Sequence, residues 1–434
     1  MWSPWRWLLL PVLCWAAGAT AGEFDFDIPE ARPKPYELGA RLELRGIYHR
    51  FDRQAAPFVL NYFDDDPGNS ALEGRGSVEL SGGLRLGRVR ARVLSHHQYT
   101  HGVRETQWED KLYEGFVSLR PSTHATIDAG KRSVVWGTGY AWNPAAFLNR
   151  PKDPDDPALN LEGRTLLGLD LIKSLASAGG PGNIGLSALL LPVIGDWANS
   201  ELGSEGDLYL ALKLYLLWHD TDIDLIFFDG PDQPRSFGID FARNLAPHIA
   251  VHGEAALQQD APRLEIERQG RTSLRREDQW SWLLGMRYLT TRDTTVIAEY
   301  YHNGAGYDRD ALRDFFAYQS SAIQEWRTTG DAAILRHTRQ TTRPIYQQRN
   351  LGKDYFYLRI SQKEPLDILY FTPWLAANIN LRDWSFSLQP GMTWTTRTNL
   401  ELNLRVAIPM GASATEFGEK PDRFRPEIWV RYYF

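Results

Sequence analysis

The carboxy-terminal segment Glu427–Phe434 constrains the fold more than any other stretch of this 434-residue chain. Apolar side chains occupy every second position from Ile428 to Phe434, which is the period of a strand with two unlike faces. A soluble protein seldom leaves such an apolar edge strand at its end, because the edge promotes aggregation. A closed barrel has no edge, and it is the only sheet that can span a membrane. The segment therefore favours an all-β transmembrane barrel over the alternative, a soluble sandwich.

Alternating segments recur along the chain and predict an antiparallel barrel of about eighteen strands, within a range of sixteen to eighteen. In the first of them, Leu42 and Leu44 face lipid while Arg41, Glu43 and Arg45 face inward. The fifth is predicted to span residues 125–136. An even strand number is typical of outer-membrane barrels.

The connections between the predicted strands differ in length at the two ends. One end has short turns, such as Gly87-Arg88, and most connections at the other end are long. The longest, about Asn303–Gly352, contains helical spacing of apolar residues between Asp308 and Trp326. Short periplasmic turns and long extracellular loops are the asymmetry expected of an outer-membrane barrel.

The amino terminus predicts export. A basic start is followed by an apolar run from Leu8 to Ala17 and by Ala19-Thr20-Ala21, which is typical of a cleaved signal peptide. We therefore assign residues 1–21 to a signal peptide, 22–36 to a short periplasmic segment and 37–434 to the barrel. The only cysteine, Cys14, lies within the signal peptide, so the mature chain is expected to have no disulfide or thiolate metal site.

The composition agrees with a barrel. The mean hydropathy is −0.40, yet the chain contains 16 Trp and 19 Tyr. A barrel needs apolar residues only at alternate positions, and aromatic residues suit the two membrane interfaces. The net charge of −6 argues against a nucleic-acid partner.

The third long connection, about Gly137–Gly163, is predicted to fold into the lumen. Aromatic anchors and four prolines between Pro144 and Pro157 make it stiff, so it is expected to pack against a wall. The alternative is an outward surface loop. The residues predicted to narrow the lumen are Trp142, Asn143, Pro144, Phe147, Lys152, Asp153, Asp155 and Asp156.

The predicted lumen has a basic wall and an acidic side. The basic residues predicted to line it are Arg41, Arg45, Arg85, Arg88, Arg90 and Arg92. Strands nine to thirteen are predicted to send in Asp224, Asp240, Glu254 and Glu299, with Arg287 as an exception. Opposed charges across a lumen filter solutes; the other reading is that the arginines pair with the loop acids and stiffen the barrel.

Several features resemble known families. The segment Gly130–Gly137, followed by Asn143-Pro144, resembles a strand-to-loop motif of porin-like families, and the loop position and charge arrangement are similar to those of general and substrate-specific porins. Eighteen strands and a basic lining are similar to the alginate exporter. The terminal Tyr432 and Phe434 resemble the signal that the barrel-assembly machinery reads. The resemblance implies a Gram-negative outer-membrane protein in contact with lipid and lipopolysaccharide.

Several chemistries are set aside at this stage. His96 and His97 are expected on opposite faces of one strand, so we predict no metal site, and no cofactor motif is present. Ser95 and His96 likewise face apart, and no Gly-x-Ser-x-Gly elbow appears, so the chain is not predicted to be an enzyme.

The function predicted from the sequence is an outer-membrane channel for passive diffusion of small polar or charged solutes. The alternative is an export conduit, for example for an anionic polysaccharide, or a scaffold barrel that serves a periplasmic partner. A barrel-embedded hydrolase is the third class. The oligomeric state is left as monomer or homotrimer.

Overall fold

The computed structural model describes residues 34–154, 156, 162–175 and 180–434. The predicted signal peptide, most of the predicted periplasmic segment and Asp155 lie outside these residues. The strands are β1 Tyr36–Phe51, β2 Ser70–Leu86, β3 Val89–His101, β4 Thr106–Ser122, β5 Ala125–Arg132, β6 Arg164–Ser174, β7 Asn183–Pro192, β8 Leu208–Trp218, β9 Thr221–Gly230, β10 Gln233–Ala246, β11 Ile249–Ile266, β12 Thr272–Leu289, β13 Thr294–His302, β14 Asp354–Gln362, β15 Phe371–Asn380, β16 Phe386–Arg397, β17 Leu400–Met410 and β18 Asp422–Tyr433.

These eighteen strands form one closed antiparallel barrel. Each strand pairs with its sequence neighbours, and β18 also pairs with β1, from Arg41 opposite Tyr433 to Phe51 opposite Asp422. The predicted fold class is therefore confirmed. Closure satisfies the backbone hydrogen bonds of both terminal strands, so the barrel has no free edge.

The two faces of the barrel wall differ as the alternation predicts. Outward positions carry exposed apolar side chains, for example Leu44 at 57 % and Val93 at 51 % exposure. Inward positions of β2 and β3 carry Glu79 and His96, which are buried. An apolar outer surface over a polar interior is the arrangement of a barrel surrounded by lipid.

The long connections gather at one end of the barrel, and three helices lie in them. They are α1 Ala56–Tyr62 between β1 and β2, and α2 Arg309–Thr329 and α3 Ala332–Tyr346 between β13 and β14. The helix predicted at residues 308–326 is confirmed as α2. No helix in the described part of the chain is long and apolar enough to cross a membrane.

Several strand boundaries differ from the prediction, and β5 and β18 show two of the causes. β5 ends at Arg132 and not at Trp136, because the amide of Ser133 leaves the ladder and donates to the Glu114 carboxylate at 3.2 Å. β18 begins at Asp422, five residues before the predicted start, because its pairing with β1 continues to Phe51.

Candidate pore and its inward loop

The connection from Ser133 to Gly163 is here called the inward loop, and the structure describes its residues 133–154, 156, 162 and 163. These residues leave the wall between β5 and β6 and reach the opposite side of the lumen. Gly137 has φ +81°, a conformation that favours glycine, and a Cβ there would lie 2.9 Å from the Glu254 carboxylate on β11. Backbone groups of the loop contact β11 and β13, and Asp156 contacts β17. The loop therefore crosses the barrel interior.

Glu254 holds the first part of the inward loop. Its Oε1 accepts hydrogen bonds from the amides of Thr138 at 2.6 Å and Gly139 at 2.7 Å and from Asn143 Nδ2 at 2.9 Å. Its Oε2 accepts from the amide of Ala145 at 3.0 Å. Successive backbone amides that converge on one anion form a concave site, and here the anion belongs to the barrel wall.

Glu299 on β13 holds the next residues in the same way. Its two carboxylate oxygens accept from the amides of Tyr140 at 2.5 Å and Ala141 at 2.8 Å. His252 Nε2 lies 2.7 Å from Oε1 of the same carboxylate. Glu299 is fully buried, so these donors replace the water that the charge has lost.

Aromatic packing fixes the loop beyond these carboxylates. The indole of Trp142 stacks on Tyr301 at 5.0 Å between ring centroids and lies 5.9 Å from Tyr355 and 6.0 Å from Tyr357. Its Nε1 donates to Asn350 at 3.2 Å. Trp142 is 4 % exposed, so the tip of the loop is anchored to β13 and β14 by a dry contact.

The remaining predicted loop residues divide between packing and charge contacts. Phe147 packs against the buried cluster on the inner faces of β6–β9, and Pro144 lies between Asn143 and the buried Ala145. Lys152 Nζ donates to the carbonyl of Gly139 at 2.6 Å, and burial lowers the pKa of this lysine.

The loop acids reach two different partners. Asp153 lies 3.4 Å from Arg349, in the connection that carries α3. Asp156 lies 3.4 Å from Arg405 on β17, and burial raises the pKa of the Asp156 carboxyl although Arg405 opposes the shift. Asp155 is outside the described residues.

A cavity of about 490 Å³, here called the passage, remains between the inward loop and the wall formed by β1–β4 and β14–β18. Tyr140 and Asp156 of the inward loop form one side. Six arginines and four carboxylates line it: Arg41, Arg45, Arg75, Arg359, Arg405, Arg431, Glu43, Glu79, Glu401 and Asp156. Among these ten side chains, positive charge exceeds negative charge by two.

Neighbouring strands pair these charges across the passage wall. Arg41 contacts Glu79 at 2.5 Å, and Arg431 contacts Glu43 at 2.6 Å and Glu401 at 3.0 Å. Glu427, buried behind this layer, contacts Arg405 at 2.9 Å. The guanidinium groups are thereby held in fixed positions and do not move freely in the lumen.

Trp429 lies at the centre of the basic side of the passage. The guanidinium carbons of Arg45, Arg405 and Arg431 lie 4.8, 5.4 and 5.8 Å from its ring centroid. The negative face of an aromatic ring attracts cations, so Trp429 allows three like charges to share a small volume. In the sequence, Glu427, Trp429 and Arg431 alternate with apolar residues, which indicates that these three side chains face the lumen.

Only part of the predicted basic wall lines the passage. Arg41 and Arg45 do, whereas Arg85, Arg90 and Arg92 follow the strands toward the short-turn end, where Arg92 contacts Glu114 at 2.8 Å. The prediction for Arg88 is wrong, because this residue lies in the turn before β3 and donates to the carbonyl of Pro121 at 3.1 Å.

Arg45 of the predicted basic wall shares the passage with Asp156 of the inward loop. Arg405 is the nearest basic partner of Asp156, while Arg90 and Arg92 do not line the passage. Arg405 and Arg431 were not selected from the sequence. Their position depends on barrel closure, which brings β17 and β18 beside β1.

Three of the predicted inward acids have structural partners, and the fourth, Asp240, is buried among them without a charged partner in the described chain. Glu254 and Glu299 bind the inward loop, and Asp224 contacts Lys213 at 3.0 Å. Two of the predicted acids on this side are therefore bound to the loop, and a second cavity of about 490 Å³, lined in part by Lys152, His252 and Arg287, remains beside it.

No family model and no curated protein matches this chain. Solved structures that resemble it include a triple mutant of the Rhodopseudomonas blastica porin, at 11 % identity and TM-score 0.45. Another mutant of the same porin has 10 % identity and TM-score 0.46. Each match covers 92 % of this chain and all of the porin chain. The likeness is one of barrel architecture.

Proposed function

We propose that this protein is an outer-membrane channel through which small polar or charged solutes diffuse passively. The observation that carries the proposal is the passage, a charged cavity of about 490 Å³ that an immobilised loop leaves open on one side of the lumen. Eighteen strands enclose more volume than side chains alone can fill, so the loop sets the width of the remaining space. Export by a cleaved signal peptide and a Gram-negative outer membrane are part of this proposal.

The charge distribution supports selection by charge and orientation. Fixed arginines stand on the side of β1, β17 and β18, and Asp156 of the inward loop stands opposite Arg405. Such a transverse field orients polar solutes, and the excess of arginine favours anions. We propose that the solutes include small anions.

The test is planar-bilayer conductance of the purified protein, with the reversal potential measured in a salt gradient. Stable open steps with an anion preference are the expected result. A membrane that stays silent in the presence of inserted, folded barrel would overturn passive diffusion.

A second candidate function is a gated export conduit or scaffold for a periplasmic partner. It is supported by the number of contacts that hold the inward loop: six hydrogen bonds to Glu254 and Glu299 and the packing of Trp142. A channel that opens only after the loop is released would favour this candidate over the open channel.

A further inference from the structure

A serine, a histidine and an aspartate come together on the outer face of the barrel, outside the lumen. His97 Nε2 lies 3.1 Å from Ser95 Oγ, and His97 Nδ1 lies 2.6 Å from Asp110 Oδ1. The sequence suggested only Ser95 with His96, which face opposite ways. The structure instead pairs Ser95 with the next histidine, two positions along β3 on the same face.

The strand register explains why these three side chains meet. Ser95 and His97 alternate on β3, so both face outward, and Asp110 on β4 is the direct cross-strand partner of His97. Trp108, two positions from Asp110 on the same strand, donates its Nε1 hydrogen to Asp110 Oδ2 at 2.6 Å. The carboxylate is thus held by two donors, and it holds the imidazole in turn.

This order of contacts is that of a hydroxyl nucleophile, a general base and the carboxylate that orients the base. When Nδ1 carries its proton toward Asp110, Nε2 is free to accept the Ser95 proton. We propose that Ser95, His97 and Asp110 form an acyl-transfer site on the outer wall, with Ser95 as nucleophile, His97 as base and Asp110 as its positioning residue.

The surroundings identify the substrate as an acyl ester of a membrane lipid. Ser95 has Leu80 and Leu112 as its cross-strand neighbours, and these outward side chains are 49 % and 46 % exposed. One step nearer the long-loop end, Tyr99 and Trp108 form an aromatic pair with ring centroids 6.2 Å apart. Aromatic belts mark the membrane interface, so Ser95 lies just below the level where lipid esters meet water.

The cost of these groups on a lipid-facing wall is itself informative. A charged side chain that faces lipid destabilises a barrel, most strongly at the midplane of the membrane and less near the interface. Polar side chains in such positions are expected to have a function. No lumenal solute reaches this face, so the site is independent of the proposed channel.

The proposed reaction consumes one ester and one water. Ser95 Oγ forms a bond to the acyl carbon as its proton passes to His97 Nε2, and the lipid alcohol leaves with that proton. Water then attacks the acyl-serine, with His97 again accepting a proton and returning it to Ser95. The products are a fatty acid and the deacylated lipid alcohol, and no oxidant or metal is required.

The test uses the full-length purified barrel with two probes. A fluorescent alkyl fluorophosphonate reports an activated serine, and vesicles of phosphatidylethanolamine and phosphatidylglycerol report release of fatty acid by mass spectrometry. We expect labelling that maps to the peptide containing Ser95 and release that Ser95→Ala and His97→Ala lower by about a hundredfold or more. Asp110→Asn is expected to lower the rate and to shift its pH profile, which a structural role alone does not do.

The chain provides its own matched control. His101 Nδ1 lies 3.2 Å from Thr106 Oγ1 on the same two strands, but no carboxylate partner of this histidine is found in the described chain. His101→Ala and Thr106→Ala should therefore leave labelling and release unchanged. Bilayer conductance of Ser95→Ala, which should equal that of the wild type, shows that the variant is folded.

Two outcomes would overturn the proposal. One is wild-type protein that is neither labelled nor more active than Ser95→Ala on the vesicles. The other is labelling that persists in Ser95→Ala and maps to another serine. Either result leaves the conductance test of the channel untouched, so failure of the two proposals can be told apart.

Discussion

The two sides of the lumen use carboxylates in opposite ways. On β11 and β13, Glu254 and Glu299 accept backbone amides of the inward loop and are removed from the aqueous space. On β1, β17 and β18, Glu43, Glu401 and Glu427 accept guanidinium groups beside the passage. The carboxylates on both sides are of the same type. Their partners determine whether they hold the inward loop in place or hold the arginines that create the electric field across the passage.

This difference separates the width of the passage from its charge. The side formed by β11 and β13, here called the dry side, determines where the inward loop lies, because its carboxylates and aromatic rings hold the loop in one position. The charged side sets which ions are attracted, because its arginines are fixed by neighbouring acids. Substitutions on the two sides are therefore expected to change different properties of the channel.

Deletion of residues 143–156 should have the largest effect. The deletion begins directly after Trp142. It removes Asp156, which lines the passage, and the hydrogen bond from the amide of Ala145 to Glu254. Single-channel conductance should rise by about twofold or more, because the loop no longer narrows a barrel wide enough for an aqueous channel. Unchanged conductance would remove the constriction role from the loop.

Glu254→Gln should have the next largest effect and should act on the loop alone. The amide keeps one acceptor but places an N–H group against other donors, and charge-assisted hydrogen bonds are lost, at a cost of about 2–4 kcal/mol. We expect a lower urea midpoint and frequent transitions between conductance levels in single-channel recordings.

Glu401→Gln is the matched control for this substitution. Glu401 is also an inward carboxylate, but its partners are Arg431 and Asn403, and no contact with the described residues of the inward loop is found. Its current trace should be as quiet as that of the wild type. Equal flicker in both variants would show that the two sides are not separate.

Arg405→Gln should change selectivity more than conductance. It removes the basic partner of Asp156 and one of the three guanidinium groups around Trp429. The permeability ratio of potassium to chloride should rise by about twofold, since local positive charge is lost. The reversal potential in a salt gradient measures this.

Arg90→Gln is a control with the same change of charge. Arg90 lies on β3 toward the short-turn end and does not line the passage, so the reversal potential should move less. A shift of the reversal potential as large as that of Arg405→Gln would indicate that the basic wall predicted from the sequence, and not the passage, determines the ion selectivity.

The sequence was sufficient for the barrel because alternation is local. Each strand shows its two faces within ten residues, and prolines with aromatic residues in one connection indicate that this loop packs against the barrel wall. The seven-residue helix α1 was not predicted, since it is too short to show a period. Arg88 was predicted both in the Gly87-Arg88 turn and as a pore-lining residue, and the structure supports the turn alone.

The partners within the lumen could not be read in the same way. Glu254 lies more than a hundred positions from the amides that it binds, and Arg405 reaches Asp156 only because the barrel closes. Both acids of the dry side were predicted to face inward, but no local pattern distinguishes a carboxylate that meets amides from one that meets water.

The smallest predicted effect concerns Glu416, in the connection between β17 and β18. Like Glu254 and Glu299, it is a buried carboxylate that accepts hydrogen bonds from a backbone amide and from neighbouring side chains. It accepts from the amide of Leu351 at 3.1 Å, from Tyr355 Oη at 2.6 Å and from Asn380 Nδ2 at 2.7 Å. Burial raises the pKa of Glu416, so its contribution to stability is complete below the unfolded-state pKa and is lost as pH rises through the folded value.

Hydrogen exchange of residues 411–421 measures this effect. Protection should fall as the pH rises from 4 to 8, after correction for the intrinsic exchange rate, and Glu416→Gln should make protection nearly independent of pH because the amide does not titrate. Glu419→Gln, whose carboxylate accepts from Ala56 and Ala414 in the same connection, should keep the pH dependence of the wild type. If protection instead rises with pH, the ionised form of Glu416 is a better hydrogen-bond acceptor here than the protonated form. The hydrogen bonds, and not burial alone, would then determine the pKa of such a buried carboxyl.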